Sequence, residues 1–557
     1  MGPETILVVQ NVSFQYPNAP TASLKQVSIT AHRGDRILLI GHNGSGKSTL
    51  LSLLAGRRKP RSGRVRVLGR DPFDDTSMVQ HISMIGAPWP PESVFGSTVE
   101  RVASPAPVPE RKTSLAEALR LRLSDFVEKM SSGEKRRVQI LHGMLYPAMV
   151  HLLDECSTDI DVADRHTVLE LVRQECEAKG GCCVYATHIL DRIKGWATHL
   201  LLMEGGRVVD FKAVADITVP LEDYAFQFMS KRSGSARGAA AVSAPPLSYG
   251  KFMTISPASS TCPMTSAATS LSSATVSVPV TFWPQERRDD SPSEVVIDCV
   301  HLTYKNVFAN LSFQVFRGER VLLCGGNGSG KSTLLNMLGG KQFFDNRHGA
   351  LSVLGKRCYD GMLLNSLVSY GGDWWTAVPG GEVHVREMLQ LRTSRAEHLR
   401  EMLAVDMDWD VRHISSGEQR RVQLLLHLLE DKPVVLLDEA TADLDIDQRH
   451  CLMQFLYEES VQRGVTVVYS THIFGGLEGW ADVVVLLDRT VRGLHAVWRA
   501  SKGQSISLER VADEIVALRA REVSWATPFP TMDDTVAHAR EAACLPAAIT
   551  GNYDASC

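Results

Sequence analysis

Residues 41–49, Gly41-His42-Asn43-Gly44-Ser45-Gly46-Lys47-Ser48-Thr49, decide the reading of this chain, because the cassette returns as Gly325-Gly326-Asn327-Gly328-Ser329-Gly330-Lys331-Ser332-Thr333. Both fit G-x-x-x-x-G-K-[ST], the phosphate-cradling loop. Each follows an apolar run (Ile37 to Ile40, Val321 to Cys324) and opens a helix-like one (Leu50 to Ala55, Leu334 to Leu338). Strand, glycine loop and helix is the context the motif requires. The glycines let backbone N–H groups turn inward around an anion, and the helix N-terminus adds a favourable dipole. Lys47 and Lys331 are placed to reach the β- and γ-phosphates, and Ser48 and Ser332 to hold Mg²⁺. ATP and Mg²⁺ are the expected ligands.

Outward from the loops, the repeat sets the architecture. Lys331 follows Lys47 by 284 residues, and the same offset relates Ser415 to Ser131, Asp438 to Asp154, His472 to His188 and Trp480 to Trp196. Upstream, Tyr16 and Tyr304 are 288 apart, which gives copy 1 four more residues before its loop. Strand-like runs (Ile6 to Phe14, Ser28 to Thr30, Met149 to Asp154, Gly181 to Thr187) alternate with helix-like ones (Ala163 to Glu177). A charged and apolar stretch from Pro105 to Val127 reads as a short helical subdomain. The expected fold is α/β, with two P-loop NTPase domains in tandem, each a mostly parallel covered sheet with that subdomain. Domain 1 is expected over 1–231, a linker over 232–290, domain 2 over 291–490, and a C-terminal helix and loose tail over 491–557. Within the linker, Ser233 to Gln285 is dominated by Ser, Ala, Thr and Pro, with only Arg237 and Lys251 charged, so a flexible connection is predicted. Leu508 to Arg521 has helical periodicity, and Pro528 to Cys557 reads as tail.

Bulk composition excludes several classes. The 557 residues suffice for two to four domains, and 59 basic against 63 acidic residues leave a net charge of −4, with no polyelectrolyte signature for nucleic acid. No apolar run approaches the ~18–20 residues that span a bilayer. The start, Met-Gly-Pro-Glu, lacks a signal-like region, and the 11 cysteines include no C-x-x-C pair. A cytoplasmic location is the expectation, with a nuclear one left open.

The chemistry gathers at the strand ends. Val150-His151-Leu152-Leu153-Asp154-Glu155 recurs as Val434-Val435-Leu436-Leu437-Asp438-Glu439. An apolar strand ending in two carboxylates brings them to the sheet edge that bears the phosphate loop. Asp154 and Asp438 suit Mg²⁺, while Glu155 and Glu439 suit polarisation of an attacking water. Thirty-three residues on, in Ala-Thr-His-Ile and Ser-Thr-His-Ile, His188 and His472 close the next strand and are expected to hold water and glutamate in register.

Met130-Ser131-Ser132-Gly133-Glu134-Lys135-Arg136-Arg137 and Ile414-Ser415-Ser416-Gly417-Glu418-Gln419-Arg420-Arg421 resemble the L-S-G-G-Q signature of ATP-binding cassette (ABC) ATPases, with Ser for the first Gly. Heading a helix, Ser131 and Gly133, or Ser415 and Gly417, form a second anion site. With one phosphate loop per domain, that site makes sense if the domains pair head to tail within the chain. The turns 157–161 and 441–445 resemble the family's D-loop. Tyr16 and Tyr304 resemble its aromatic platform for adenine. Ser-Ser-Gly-Glu-Gln-Arg-Arg-Val-Gln-Leu and Tyr-Ser-Thr-His-Ile-Phe-Gly-Gly-Leu-Glu-Gly-Trp are similar to the CCR–NOT-associated factors of fungi and the non-intrinsic ABC proteins of plants, although the tandem form departs from their single domain. Trp196 and Trp480 read as core. Where transporter ATPases place a Gln that touches Mg²⁺ and water, copy 2 offers Asp373 as a metal ligand, and copy 1 has Pro88, which offers no ligand. This departure from the family's pattern leads to the expectation that the two ATPase sites are unequal.

The chain is expected to couple ATP hydrolysis to domain closure that acts on a protein or ribonucleoprotein (CCR–NOT-like) assembly. The alternative is the detached ATPase subunit of a membrane transporter. A translation factor of the ABC-F kind needs a long charged helical arm between the domains, which the linker does not provide. A chromosome-maintenance ATPase is excluded, since no coiled coil splits either domain.

Overall fold

A computed structural model of the chain describes residues 4–17, 19–104, 106–191, 193, 195–227, 294–345, 349–358, 363–372, 383–389, 393–501 and 504–521. The predicted linker, the tail beyond 521 and Asp373 lie outside the described residues. In the first domain the strands are β1 (Thr5–Phe14), β2 (Leu24–His32), β3 (Arg36–Ile40), β4 (Ser62–Val67), β5 (Ile82–Ile85), β6 (Val150–Asp154), β7 (Cys182–Ala186), β8 (His199–Glu204) and β9 (Arg207–Ala213). The central sheet has the order β5-β6-β7-β3-β8-β9, parallel except for β9, and β2-β1-β4 form a separate antiparallel sheet.

The second domain repeats this with β10 (Val295–Tyr304), β11 (Phe308–Phe316), β12 (Arg320–Cys324), β13 (Ala350–Val353), β14 (Lys356–Arg357), β15 (Val368–Gly371), β16 (Val434–Asp438), β17 (Thr466–Ser470), β18 (Val483–Asp488) and β19 (Gly493–Arg499). Its sheets are β15-β16-β17-β12-β18-β19 and β11-β10-β13-β14. Because β19 pairs antiparallel with β18, this domain's sheet runs past residue 490. The fold is α/β with two tandem P-loop domains, as the repeat implied.

Burial explains the strand types. β7 and β12 are buried along their whole length, as strands covered on both faces must be. β1 instead alternates buried and exposed positions over much of its length, which suits an antiparallel sheet with one wet face. The order places β3 and β12 centrally, with the carboxylate strand and the histidine strand on one side. Phosphate loop, carboxylates and histidine therefore leave the sheet at one edge.

The register corrects one sequence equivalence. Phe14 pairs with Leu24, and Tyr304 pairs with Phe308, at matching ends of the two antiparallel ladders. Asn11 and His301 take the same left-handed backbone turn, φ 49° and 50°. Tyr304 is therefore the counterpart of Phe14, the residue at Tyr16's place is Asn306, and copy 1 is longer by six residues. The extra length lies in the β1–β2 connection, 15–23 against 305–307.

The two tryptophans are core, as read. Trp196 Nε1 donates to Leu169 O (2.7 Å) and Trp480 Nε1 to Met453 O (3.0 Å), each edge-on to the strand tyrosine, Tyr185 or Tyr469. Trp480 is fully buried. Trp480→Ala is expected to cost about 3–5 kcal/mol through the cavity and the lost hydrogen bond to the Met453 carbonyl. A fall in the urea midpoint of the second domain's transition checks this; a loss below ~1 kcal/mol would contradict it.

Candidate functional site

Each phosphate loop is built by a strand that stops and a helix that starts with no side-chain cap. Gly46 (φ 101°) and Gly330 (φ 99°) head helices Lys47–Leu54 and Lys331–Leu338 in a left-handed conformation that L side chains resist. The Lys47 ammonium folds back onto Gly41 O (2.6 Å) and His42 O (3.2 Å), and Lys331 onto Gly325 O (2.8 Å) and Gly326 O (3.2 Å). Ser45 Oγ and Ser329 Oγ are buried beneath the loops without a partner. A loop of inward amides with an orphaned hydroxyl and a buried lysine fits a polyphosphate.

Asp154 and Asp438 end β6 and β16. Burial pushes both carboxyls up, partly opposed by hydrogen bonds from Ser48 and Ser332 respectively. Serine hydroxyl and carboxylate side by side are hard oxygen donors suited to Mg²⁺. Asp438 also accepts the Ser470 hydroxyl, whereas Ala186 stands at that place in copy 1.

Glu155 and Glu439 hold left-handed backbone conformations, φ 48° and 49°, unusual for a glutamate and repeated in both copies. His188 Nδ1 is 2.9 Å from Glu155 Oε2, and His472 Nδ1 is 2.8 Å from Glu439 Oε2. Burial pushes both glutamates up, but the facing imidazole, its hydrogen bonds and Lys47 or Lys331 outweigh that and hold them below the usual carboxylate range.

The other nitrogen of each ring crosses to the opposite domain. His188 Nε2 lies 3.0 Å from Ala442 O, and His472 Nε2 lies 3.0 Å from Thr158 O. Each ring thus has an acceptor at both nitrogens, and a neutral imidazole can donate to only one of them.

The signature helices Ser132–Met144 and Ser416–Leu428 begin at Ser131 and Ser415. Each serine is closed in a capping box with Glu134 or Glu418. Both face the opposite domain's loop: a Cβ on Gly133 would lie 3.2 Å from Asn327 Nδ2, and one on Gly417 would lie 3.7 Å from Asn43 Nδ2. The Asn327 N–H donates to Asp161 Oδ2 (3.0 Å) and the Asn43 N–H to Asp445 Oδ2 (3.4 Å). Site 1 is therefore the copy 1 loop with the copy 2 signature, and site 2 the reverse.

Tyr16 stands over the site 1 loop, its hydroxyl 3.3 Å from Thr49 Oγ1, with the Arg58 guanidinium 4.7 Å from its ring centre. Tyr304 accepts from Gln342 Nε2 (2.9 Å). Copy 1's Pro88 loop is tied back by its own signature helix, through Arg136 to Gly86 O (2.7 Å) and Gln139 to Ala87 O (2.7 Å). Sequence reading missed the pair His42–Asp447 (3.6 Å) across site 1, since nothing in spacing links residues so far apart.

Two P-loop domains that face each other loop to signature define a tandem ATPase of the ATP-binding cassette class. The family model described as ABC transporter matches residues 24–158 and 308–442, and the chain belongs to this family. It is 34% identical over 220 residues to ABC transporter I family member 20 of Arabidopsis thaliana, covering 36% of this chain and 67% of that protein. It is 30% identical over 221 residues to CCR4-associated factor 16 of Saccharomyces cerevisiae, covering 36% and 76%. Among solved structures, RNase-L Inhibitor aligns with a TM-score of 0.62 at 18% identity over 91% of this chain and 93% of that one, a likeness of fold. Among the described residues no helix is long and apolar enough to cross a membrane.

The His42 pair should make closure at site 1 depend on pH. The facing Asp447 carboxylate raises the imidazole above its ordinary 6.5, against burial, with Asp445 and Glu204 adding to the rise. A raised value in the paired state means that the contribution is complete below 6.5 and lost as pH rises through the raised value. Closure at site 1 should weaken roughly two- to fivefold from pH 6 to 8.5, read by energy transfer between labelled domains. His42→Asn should flatten the profile; an unchanged profile would contradict it.

Proposed function

We propose that the chain binds two ATP molecules at the head-to-tail sites and uses their hydrolysis to drive closure of its domains upon a macromolecular, RNA-related assembly. The observation that carries this reading is the reciprocal crossing of each site by the other domain: Asp161 to Asn327, Asp445 to Asn43, His188 to Ala442 and His472 to Thr158. A site built from both domains exists only when they meet, so ligand binding and closure are linked.

In this reading Gly41, Asn43, Gly44, Ser45, Gly46 and Thr49, and in copy 2 Gly325, Asn327, Gly328, Ser329, Gly330 and Thr333, wrap the phosphates. Lys47 and Lys331 leave their own carbonyls for the β- and γ-oxygens. Ser48 with Asp154, and Ser332 with Asp438, would hold Mg²⁺, which when bound neutralises and orients the phosphate oxygens. Asp373 remains a proposed further ligand in copy 2. Glu155 and Glu439, kept ionised, accept from and orient the attacking water, and His188 and His472 fix the glutamate while touching the opposite D-loop. Ser131 and Ser415 turn from their capping glutamates to the γ-phosphate of the facing site. Tyr16 offers a ring to adenine at site 1; Tyr304, two residues out of register, is a weaker platform at site 2.

Support for an assembly rather than a membrane partner is compositional: a near-neutral chain without a bilayer-length apolar run, and likeness to a protein named as a CCR4-associated factor. The test uses Glu155→Gln with Glu439→Gln. Mg-ATP should compact the monomer in small-angle scattering, and the compacted form should be the one that cosediments with ribonucleoprotein. Compaction without ATP dependence, or concentration-dependent dimerisation at unchanged monomer shape, would contradict the reading.

A further inference from the structure

Comparing the two composite sites position by position exposes an exchange. At site 1 the second loop residue is His42, and its partner across the interface is Asp447. At site 2 the same two positions are Gly326 and Ala163, so the pair is missing. The place is taken from elsewhere in the chain. A Cβ on Gly326 would point between Asp161 Oδ2 (3.6 Å) and the Arg519 guanidinium (4.0 Å). Arg519 belongs to the helix Leu508–Arg521, beyond the segments matched by the family model.

This helix is shared by the two domains. Leu508, Val511, Ala512 and Ile515, spaced along one face, are buried in the second domain's core, together with Val162 and Ala163 of the first domain. Its last turn reaches the D-loop of domain 1. The Arg519 carbonyl accepts from Arg120 (2.9 Å), and its guanidinium lies 3.7 Å from Asp161 Oδ2 and 4.0 Å from Asp164 Oδ2. The same Asp161 Oδ2 accepts the Asn327 N–H of the site 2 phosphate loop, while Oδ1 accepts the Asp164 N–H.

Asp161 is 1% exposed and has a second carboxylate, Asp164, beside it. A buried carboxylate is stable only when paired or fully hydrogen-bonded. Arg137, 3.4 Å from Asp164, covers that group, and Arg519 stands between Asp164 and Asp161. We infer that Arg519 is a positioning residue for site 2: its guanidinium beside Asp161 holds that carboxylate aimed at the Asn327 amide, and so makes closure of that site depend on docking of the C-terminal helix. His42 fills the corresponding space at site 1, which has no such dependence. The inference rests on the reading of the two sites as ATP clamps.

The test is nucleotide occlusion counted separately at each site in the Glu155→Gln, Glu439→Gln protein with Mg-ATP. Arg519→Ala keeps a strong helix former in place and should lower occlusion at site 2 roughly tenfold, with site 1 within twofold of the parent. The guanidinium stands off at 3.7–4.0 Å and is not bidentate, so a point charge should serve and Arg519→Lys should recover most of the loss. In an Asp161→Asn background, Arg519→Ala should add little. Unchanged occlusion at site 2, equal loss at both sites, or failure of the lysine to rescue would overturn the assignment. If the parent protein occludes nucleotide at neither site, the clamp reading fails, and this inference fails with it.

Discussion

A carboxylate of one domain accepts the backbone N–H of the other domain's phosphate loop, twice, in opposite directions: Asp161 to Asn327 and Asp445 to Asn43. This contact joins the features of the sites. Each aspartate also begins the helix behind its D-loop, Val162–Lys179 or Ile446–Arg463. The D-loop carbonyl that meets the opposite histidine is on the same short segment. Moving one domain therefore moves a loop amide, a histidine contact and a signature serine together.

The two sites share this frame and differ in what supports it. At site 1 the titratable pair His42–Asp447 faces across the interface; at site 2 Arg519, a permanent cation on the C-terminal helix, stands beside Asp161. The carboxylates differ as well, since Asp438 receives a second hydroxyl from Ser470, whose place in copy 1 is taken by Ala186. A chain that carries both halves can let them diverge in this way, because each site still borrows half its parts from the other domain.

The phosphate loops, carboxylate strands, histidines and tryptophans were legible because each is a local motif whose spacing recurs 284 residues on. Where locality ended, reading failed. Tyr16 and Tyr304 looked equivalent because both are aromatics near the end of a first strand. Only the ladders show that the connection shortened by six residues and that Tyr304 answers to Phe14. The helix Leu508–Arg521 was visible from its periodicity, but Arg519 meets Asp161 through a domain interface that no periodicity encodes. The strained φ at Glu155 and Glu439 was likewise invisible, since an Asp-Glu dipeptide does not report its own backbone.

The central claim is that each ATP is clamped by the signature of the opposite domain within one chain. Ser415→Arg places bulk and positive charge at the head of the helix facing Asn43; it removes that helix's Ser415 cap, at about 1 kcal/mol, and leaves its own domain's phosphate loop untouched. Nucleotide occlusion measured at each site in the glutamate-to-glutamine protein tests this most directly. The account predicts that Ser415→Arg abolishes occlusion at Lys47's loop and spares Lys331's. Loss at Lys331's loop alone, or full retention at both, would contradict it.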